Sequence, residues 1–321
     1  EGVRELLTAS VRLRLTVKRN ALFPARSTSA DWKPRLQGWL RDACVAEVSA
    51  VKPGNVSPGH SFANATAQDF VASANAVAPV IAGVSTTTIG QTILKAVAAT
   101  QQVVHHNTNL GIILLLTPLA AVPEGIPLAD GIEQVLRALT IEDAAKTYQA
   151  IQLASPGGLG NAESQDVAAP PTFNLRACMQ LAADRDLIAA QYDNGFHDVL
   201  QVGLPLLRQT AKWDSKFQFR AAWLAIQLLA EFGDSLIHRK CGEEVSATAR
   251  RFARQVVDSD WPHRDGSESA YAELDQFLKH DGNRRNPGTT ADMIAAIFFA
   301  ALRGGYCRFD DQTNQLVFPN D

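Results

Sequence analysis

Apolar positions recur every three or four residues along most of this chain. From Trp32 to Ser49 they fall at Leu36, Leu40, Cys44 and Val48, which puts one apolar stripe on a helix. Asp31 stands where a cap belongs, and Pro34 is tolerated in the first turn. Phe70, Ala74, Val77 and Ile81 repeat the spacing, with Thr66 or Asp69 as cap and Gly83 as stop. The same periodicity predicts helices over 88–104, 127–137, 141–153, 174–192, 196–207, 217–232, 243–257, 267–279 and 289–302. Residues 110–121 are apolar all round, so that helix must be central and buried. Only the tail, 306–318, reads as two short strands around a polar turn. No βαβ alternation, heptad or internal repeat occurs. The pattern predicts an all-α fold, a compact multi-helix single domain of about a dozen helices with a small C-terminal β-hairpin. Its parts are a loosely ordered N-terminal arm (1–31), the helical domain (32–304) and the hairpin tail (305–321).

Composition narrows the partners. With 46 % apolar and 20 % charged residues, a 321-residue chain can bury a substantial core. A net charge of −3 gives no bulk attraction to nucleic acid or to an anionic membrane. The longest apolar run, 110–122, is shorter than the ~20 residues of a spanning helix, and Pro118 interrupts it. Cys44, Cys178, Cys241 and Cys307 are scattered with no CxxC pair, which suits free thiols in a reducing cytoplasm. The first thirty or so residues are Arg-rich and poor in acids, a bias shared with transit peptides, but the expected location is cytoplasmic. Nucleic acid and membrane are therefore not expected partners; a nucleotide or coenzyme-like small molecule is expected from the loop motifs and their family resemblance, not from composition. A homo-oligomer is left open.

The chemistry gathers in the breaks between helices. In EVSAVKPGNVSPGHSFANATAQDF (47–70), Pro53 keeps Lys52 extended and Gly54 permits a tight bend. Lys52 is then a phosphate-binding candidate, with Glu47, His60 and Asp69 as acid–base or metal-binding candidates. In GDSLIHRKCG (233–242), Asp234 and His238 share a face if the segment is helical. Arg239 there can grip a phosphate bidentately, whereas Lys240 also reads as a simple complement to a helix C-terminus. Asp234, an acid near a helix C-terminus, needs a partner or a metal. In NPGTTADM (286–293), Gly288, Thr289 and Thr290 open a helix and offer N–H and hydroxyl groups to an anion. Asp292 follows as a metal ligand or a first-turn capping acid. HHNTNLG (105–111) carries Asn107 and Asn109 as nucleotide-binding candidates; His105 and His106 could bind metal, but they point apart on a helix and read rather as a solvated or hydrogen-bonded pair. The PGGLGN run at 156–161 lacks the lysine and preceding strand of a phosphate loop, and the surrounding 154–171 reads as a lid or joint. Together these loops suggest a site for a nucleotide polyphosphate.

Three of these motifs, in this order, resemble the triphosphoribosyl-dephospho-CoA synthase family. EVSAVKPGNV with its downstream His and DF resembles that family's E-x-x-x-x-K-P-G-x-V opening. DSLIHR resembles its D-(T/S)-x-x-x-H-R block, and NPGTTADMIAA its (S/N)-P-G-(G/T)-(S/T)-A-D block. The resemblance runs from about residue 32 to 302. It implies an all-α transferase that moves the triphosphoribosyl group of ATP to the 2′-hydroxyl of dephospho-CoA and releases adenine, with Mg²⁺ as cofactor. On that pattern Glu47, Asp69, Asp234 and Asp292 face Mg²⁺ or ribose. Lys52, His238 and Arg239 meet the triphosphate, and His60 or a carboxylate takes the acceptor proton. Such chemistry needs both signs of charge, because ATP brings about four negative charges while the breaking glycosidic bond builds positive charge on the sugar. Two departures stand out. Asn109-Leu110 replaces the family's His-(Lys/Arg) after Asn-Thr, and no A-R-G-E segment is found. This resembles a divergent branch associated with methanopterin-type C1 cofactor gene sets. A second expectation is thus a transferase or ligase step in tetrahydromethanopterin-type C1 cofactor biosynthesis, and a third is a non-catalytic nucleotide-binding homologue.

Overall fold

The computed structural model describes residues 29–63, 65–156, 164–213 and 216–319. Nearly all of the expected arm and most of the 156–161 run lie outside them. Fourteen α-helices and one hairpin are present among the described residues. Helix α1 spans Trp32–Ser49, α2 Ala67–Ile81, α3 Ile89–Val103, α4 Leu110–Ala120, α5 Leu128–Arg137 and α6 Ile141–Ala154. Helices α7 (Leu175–Gln180), α8 (Leu187–Asn194) and α9 (Leu204–Gln209) are short; α10 (Phe217–Phe232) is long. The rest are α11 (Ser235–Cys241), α12 (Glu243–Asp258), α13 (Glu268–Asn283) and α14 (Gly288–Arg303). Strands β1 (Arg308–Asp310) and β2 (Gln315–Val317) pair antiparallel, with Phe309 opposite Leu316.

Several helices start at a side-chain cap, although Asp31, the expected cap of α1, makes no capping hydrogen bond. Thr66 and Asp69 form a reciprocal capping box at α2, and Thr140 with Asp143 does the same at α6. Helix α4 is buried on every face from Ile112 to Ala120, as its unbroken apolar run requires. It packs with α1 and α14 at the centre of the main core, while α2 lies between α1 and α3, and α3 packs on α6. A second cluster joins α10 to α13 through Ile226, Leu229, Ile237, Val256, Leu274 and Leu278. The hairpin closes on α1 and α10, where Leu316 and Phe318 are buried. Residues 67–86 are long and apolar enough to cross a membrane by length and composition, yet Ala74, Val77, Ala78 and Ile81 face the core.

Three stretches depart from their periodicity. Residues 174–192 break into α7 and α8, because the Asp186 carboxylate accepts from Ile188 N at 2.9 Å and Ala189 N at 3.1 Å and starts a new helix. Residues 196–207 open with a π turn over Asp198–Gly203 before α9. Gly203 is pressed against α14: a Cβ there would lie 2.8 Å from Ile297 Cγ1. Finally, 233–242 is not the end of α10. Gly233 at φ 73° stops that helix, and Asp234 caps a separate one, α11. Asp234 thus stands at a helix N-terminus, where an acid is favoured.

Candidate active site

The end of α1 builds the first wall. Glu47 and Lys52 are 3 % and 2 % exposed. Lys52 Nζ lies 3.1 Å from Glu47 Oε1 and donates to Ala50 O at 2.8 Å and to Glu47 O. Three ammonium donors meet three acceptors, so Lys52 stitches the terminal carbonyls of α1 to its own carboxylate. Gly54 then turns the chain at φ +68°, with its N–H on Asp275 Oδ1 at 2.9 Å. A side chain there would meet Pro287 Cδ at 3.2 Å and Leu278 Cδ1 at 3.3 Å, so the loop is pinned to α13 and to the entry of α14.

A cavity of about 750 Å³ opens between this wall, the first turn of α4, the α7–α8 junction, α11 and the start of α14. Of the residues singled out in the sequence, it gathers Glu47, Asn107, Asn109, His238, Arg239, Gly288, Thr289 and Asp292. Segments nearly 250 residues apart therefore meet on one space. Lys52, Gly54, His60, Asp69, Asp234 and Thr290 do not line it. His60 stacks edge-on against Phe62 at 5.9 Å. Asp69 is held in its capping box, accepting from Thr66 N at 2.8 Å and Thr66 Oγ1 at 3.0 Å, which keeps its carboxyl below the usual range. Asp234 accepts four hydrogen bonds: Leu236 N at 2.9 Å and Ile237 N at 3.1 Å on one oxygen, Thr290 N at 2.8 Å and Thr290 Oγ1 at 2.9 Å on the other. It positions α11 against α14. Thr289 Oγ1 meets Ser235 Oγ at 3.1 Å across the same joint. Asn107 Oδ1 accepts from the N–H groups of Asn109 and Leu110 at 3.3 and 3.1 Å, and Asn109 Oδ1 accepts from Thr100 at 3.0 Å.

Asp292 is the acid most at odds with its surroundings. It projects from the first turns of α14 into the cavity and has no hydrogen bond or ion pair among the described residues. Burial pushes its pKa well above the ordinary carboxylate value; the negative charges of Glu47, Asp234 and Asp186 add to that, and Arg239 opposes it. Burial raises Glu47 too, against the pull of Lys52. The opposing wall is cationic. Arg239 Nη1 pairs with Asp186 Oδ2 at 3.0 Å, and Lys240 Nζ donates to Asn286 Oδ1 at 3.2 Å. Burial, with Arg239 beside it, lowers the Lys240 pKa. Gly111 on α4 gives Asp292 its room: a Cβ there would collide with Oδ2 and come within 2.6 Å of Cγ.

Lining residues without a role in the sequence reading include Asn55, Arg185 and Asp186. Asn55 sits inside the K-P-G-x-V motif at its variable position. Arg185-Asp186 is an arginine–acid pair just before a helix start, and an N-cap search within 174–192 would have exposed it. His106, read as half of a solvated or hydrogen-bonded pair, instead has Nε2 buried without a hydrogen-bond partner, 4.0 Å from Asp69 Oδ2.

Fold and cavity together define an all-helical domain with a small-molecule cavity lined by acids and cations at helix ends. The family model CitG, described as ATP:dephospho-CoA triphosphoribosyl transferase, matches residues 33–308, and the chain belongs to that family. The family resemblance drawn from the sequence motifs is thereby borne out. A crystal structure of a candidate triphosphoribosyl-dephospho-CoA synthase from Archaeoglobus fulgidus aligns with a TM-score of 0.57 at 27 % identity, covering 73 % of this chain and 99 % of that one. No curated protein matches significantly.

Proposed function

We propose that this protein transfers the triphosphoribosyl group of ATP to the 2′-hydroxyl of dephospho-CoA and releases adenine. The observation that carries the reading is the meeting of Glu47 and Asp292 with Arg239 and Lys240 around one cavity. The cations suit a triphosphate. The two carboxylates suit the positive charge that develops at C1′ as the glycosidic bond breaks. Burial raises both pKa values, and at Asp292 the neighbouring acids add to the rise, which is the kind of perturbation that gathers at functional sites.

Mg²⁺ fits this donor set. It is usually held by one or two carboxylates together with substrate phosphates, and Glu47 and Asp292 are two such carboxylates on one cavity. Among the described residues no three His, Cys, Asp or Glu side chains converge as an all-protein cage, so the ion would enter with the nucleotide. When bound, it neutralises phosphate charge and relieves the repulsion between the two acids. Lys52 holds Glu47 in place, and Asp234 holds α11 against α14.

The test is adenine release on incubation with ATP, Mg²⁺ and dephospho-CoA. Release by the native chain and loss in Asp292→Asn is the expected result; no release with any acceptor overturns the reading. A second reading keeps the donor and changes the acceptor, as in a C1-cofactor pathway. Leu110 lines the cavity with Ile112 and Leu114 where the family pattern carries a cation, which suits an acceptor with less charge. Adenine release with a pterin-type acceptor but not with dephospho-CoA would establish it.

A further inference from the structure

Two nitrogen atoms of the cavity wall have no hydrogen-bond partner among the described residues. Asn55 is 5 % exposed, and its Nδ2 is sealed from solvent without an acceptor. His106 Nε2 is likewise buried; Asp69 Oδ2, at 4.0 Å, is too far for a hydrogen bond. Leaving a buried donor unmet costs about 1–3 kcal/mol. Native folds leave few such groups, and a ligand or an ordered water can complete them; among the described residues these two line the cavity.

The backbone around Asn55 leaves it little freedom. Asn55 N donates to Lys52 O at 3.3 Å, and Gly54 N donates to Asp275. The amide is therefore presented by a stiff frame, with a donor and an acceptor on one uncharged group. A sugar hydroxyl, which both donates and accepts, matches that pair. Phosphates are better served by Arg239 and Lys240, which come from another helix. Phe62 and Phe70 line the same cavity and offer an apolar face to a sugar or base.

Resting on the transferase reading above, we propose that Asn55 and His106 form a ribose subsite that takes the 2′,3′-diol of a nucleoside. Two substrates carry such a diol, ATP and dephospho-CoA. The experiment separates them. Steady-state adenine release is measured with ATP or its 2′- and 3′-deoxy analogues, and with dephospho-CoA or with CoA, whose 3′-hydroxyl is esterified. Asn55→Ala should lower kcat/KM about tenfold for one substrate. The analogue lacking the matching hydroxyl should cost the native chain a similar factor and cost the variant nothing more. Whichever substrate shows this coupling is the one whose ribose is held. Asn55→Asp keeps the side chain's size and removes the donor, so it serves if the alanine variant melts early. Equal discrimination by native chain, Asn55 variants and His106→Ala against every analogue overturns the proposal.

A calorimetric arm decides the subsite without turnover. Adenosine and 2′,3′-dideoxyadenosine are titrated into the native chain and Asn55→Ala. Weaker binding of adenosine alone in the variant supports the subsite; identical binding, or no binding of adenosine to the native chain, removes it. Should the native chain release no adenine, the transferase reading fails while this arm still returns its own answer.

Discussion

Gly111→Ala is the sharpest probe of the site, because it adds one methyl group and no charge. In the first turns of a helix, alanine ordinarily improves on glycine by up to about 1 kcal/mol. Here the new Cβ would stand 2.6 Å from Asp292 Cγ and 3.2 Å from Asp292 Cβ. Ordinary contact begins at 3.4 Å, so the Asp292 carboxyl group must swing about 0.8 Å further into the cavity, or α4 must shift within a close-packed core. Overpacking of this kind costs about 1–3 kcal/mol, which outweighs the helical gain. A displacement near 1 Å in a reacting group lowers rate by about 10²-fold. The expected result is a loss of adenine release of that order, with a chain destabilised by about 1–2 kcal/mol in urea. In the Asp292→Ala background the obstructing carboxyl is gone, and Gly111→Ala should become neutral or stabilising. A double-mutant cycle on unfolding free energies measures that coupling. If Gly111→Ala has the same effect on stability in both backgrounds and leaves turnover untouched, Asp292 is not held where the argument needs it.

Two further predictions concern the buried charges. Lys52→Met strands the Glu47 carboxylate and takes a donor from the Ala50 carbonyl at the α1 C-cap, so unfolding in urea should show a loss of about 3–5 kcal/mol. Glu47→Gln added to that variant should restore much of the loss, and a mild effect of Lys52→Met alone would contradict the stitching role. The pH dependence follows from Asp292, whose pKa is raised above its ordinary 3.8 by burial and by neighbouring acids. Near and below 3.8 the folded and unfolded chains both hold the proton; as pH climbs toward the folded value, the unfolded chain loses it first and gains relative stability. Asp292 by itself therefore subtracts stability as pH rises through that window, against the carboxyls such as Asp69 whose lowered pKa values add to it. Asp292→Asn should flatten the profile and be the more stable form at neutral pH; parallel profiles for the two proteins would refute this.

Much of the fold is visible in the periodicity because the long helices carry an apolar stripe and some, such as α2 and α6, a local cap. Leu36, Leu40, Cys44 and Val48 mark α1 with its observed ends, and Thr66 marks the start of α2. The α7–α8 break was hidden because Asp186, its cap, lies within a stretch whose apolar spacing continues across it. Asp234 was misread for a related reason: 217–232 runs straight into 233–242 unless Gly233 is credited with a positive φ. The meeting of the four loops was legible as shared chemistry, not as geometry. Lys52 shows the limit. Its charge and its Pro-Gly frame suggest an outward cation, but the turn is set by Gly54 against Leu278 and Pro287, more than 200 residues away, and sends the ammonium back onto α1. Asn55 and His106 carry no pattern of their own, because a missing hydrogen-bond partner is a property of three-dimensional surroundings.

The four hydrogen bonds of Asp234 have an entropic consequence. One carboxylate fixes the start of α11, which bears Arg239, and the start of α14, which bears Asp292. The two helices cannot swing independently, so the separation between cation and acid is fixed before any nucleotide arrives. A ligand entering such a bracket gives up its own freedom on binding but not that of the helices, and more of the contact energy is left over as affinity.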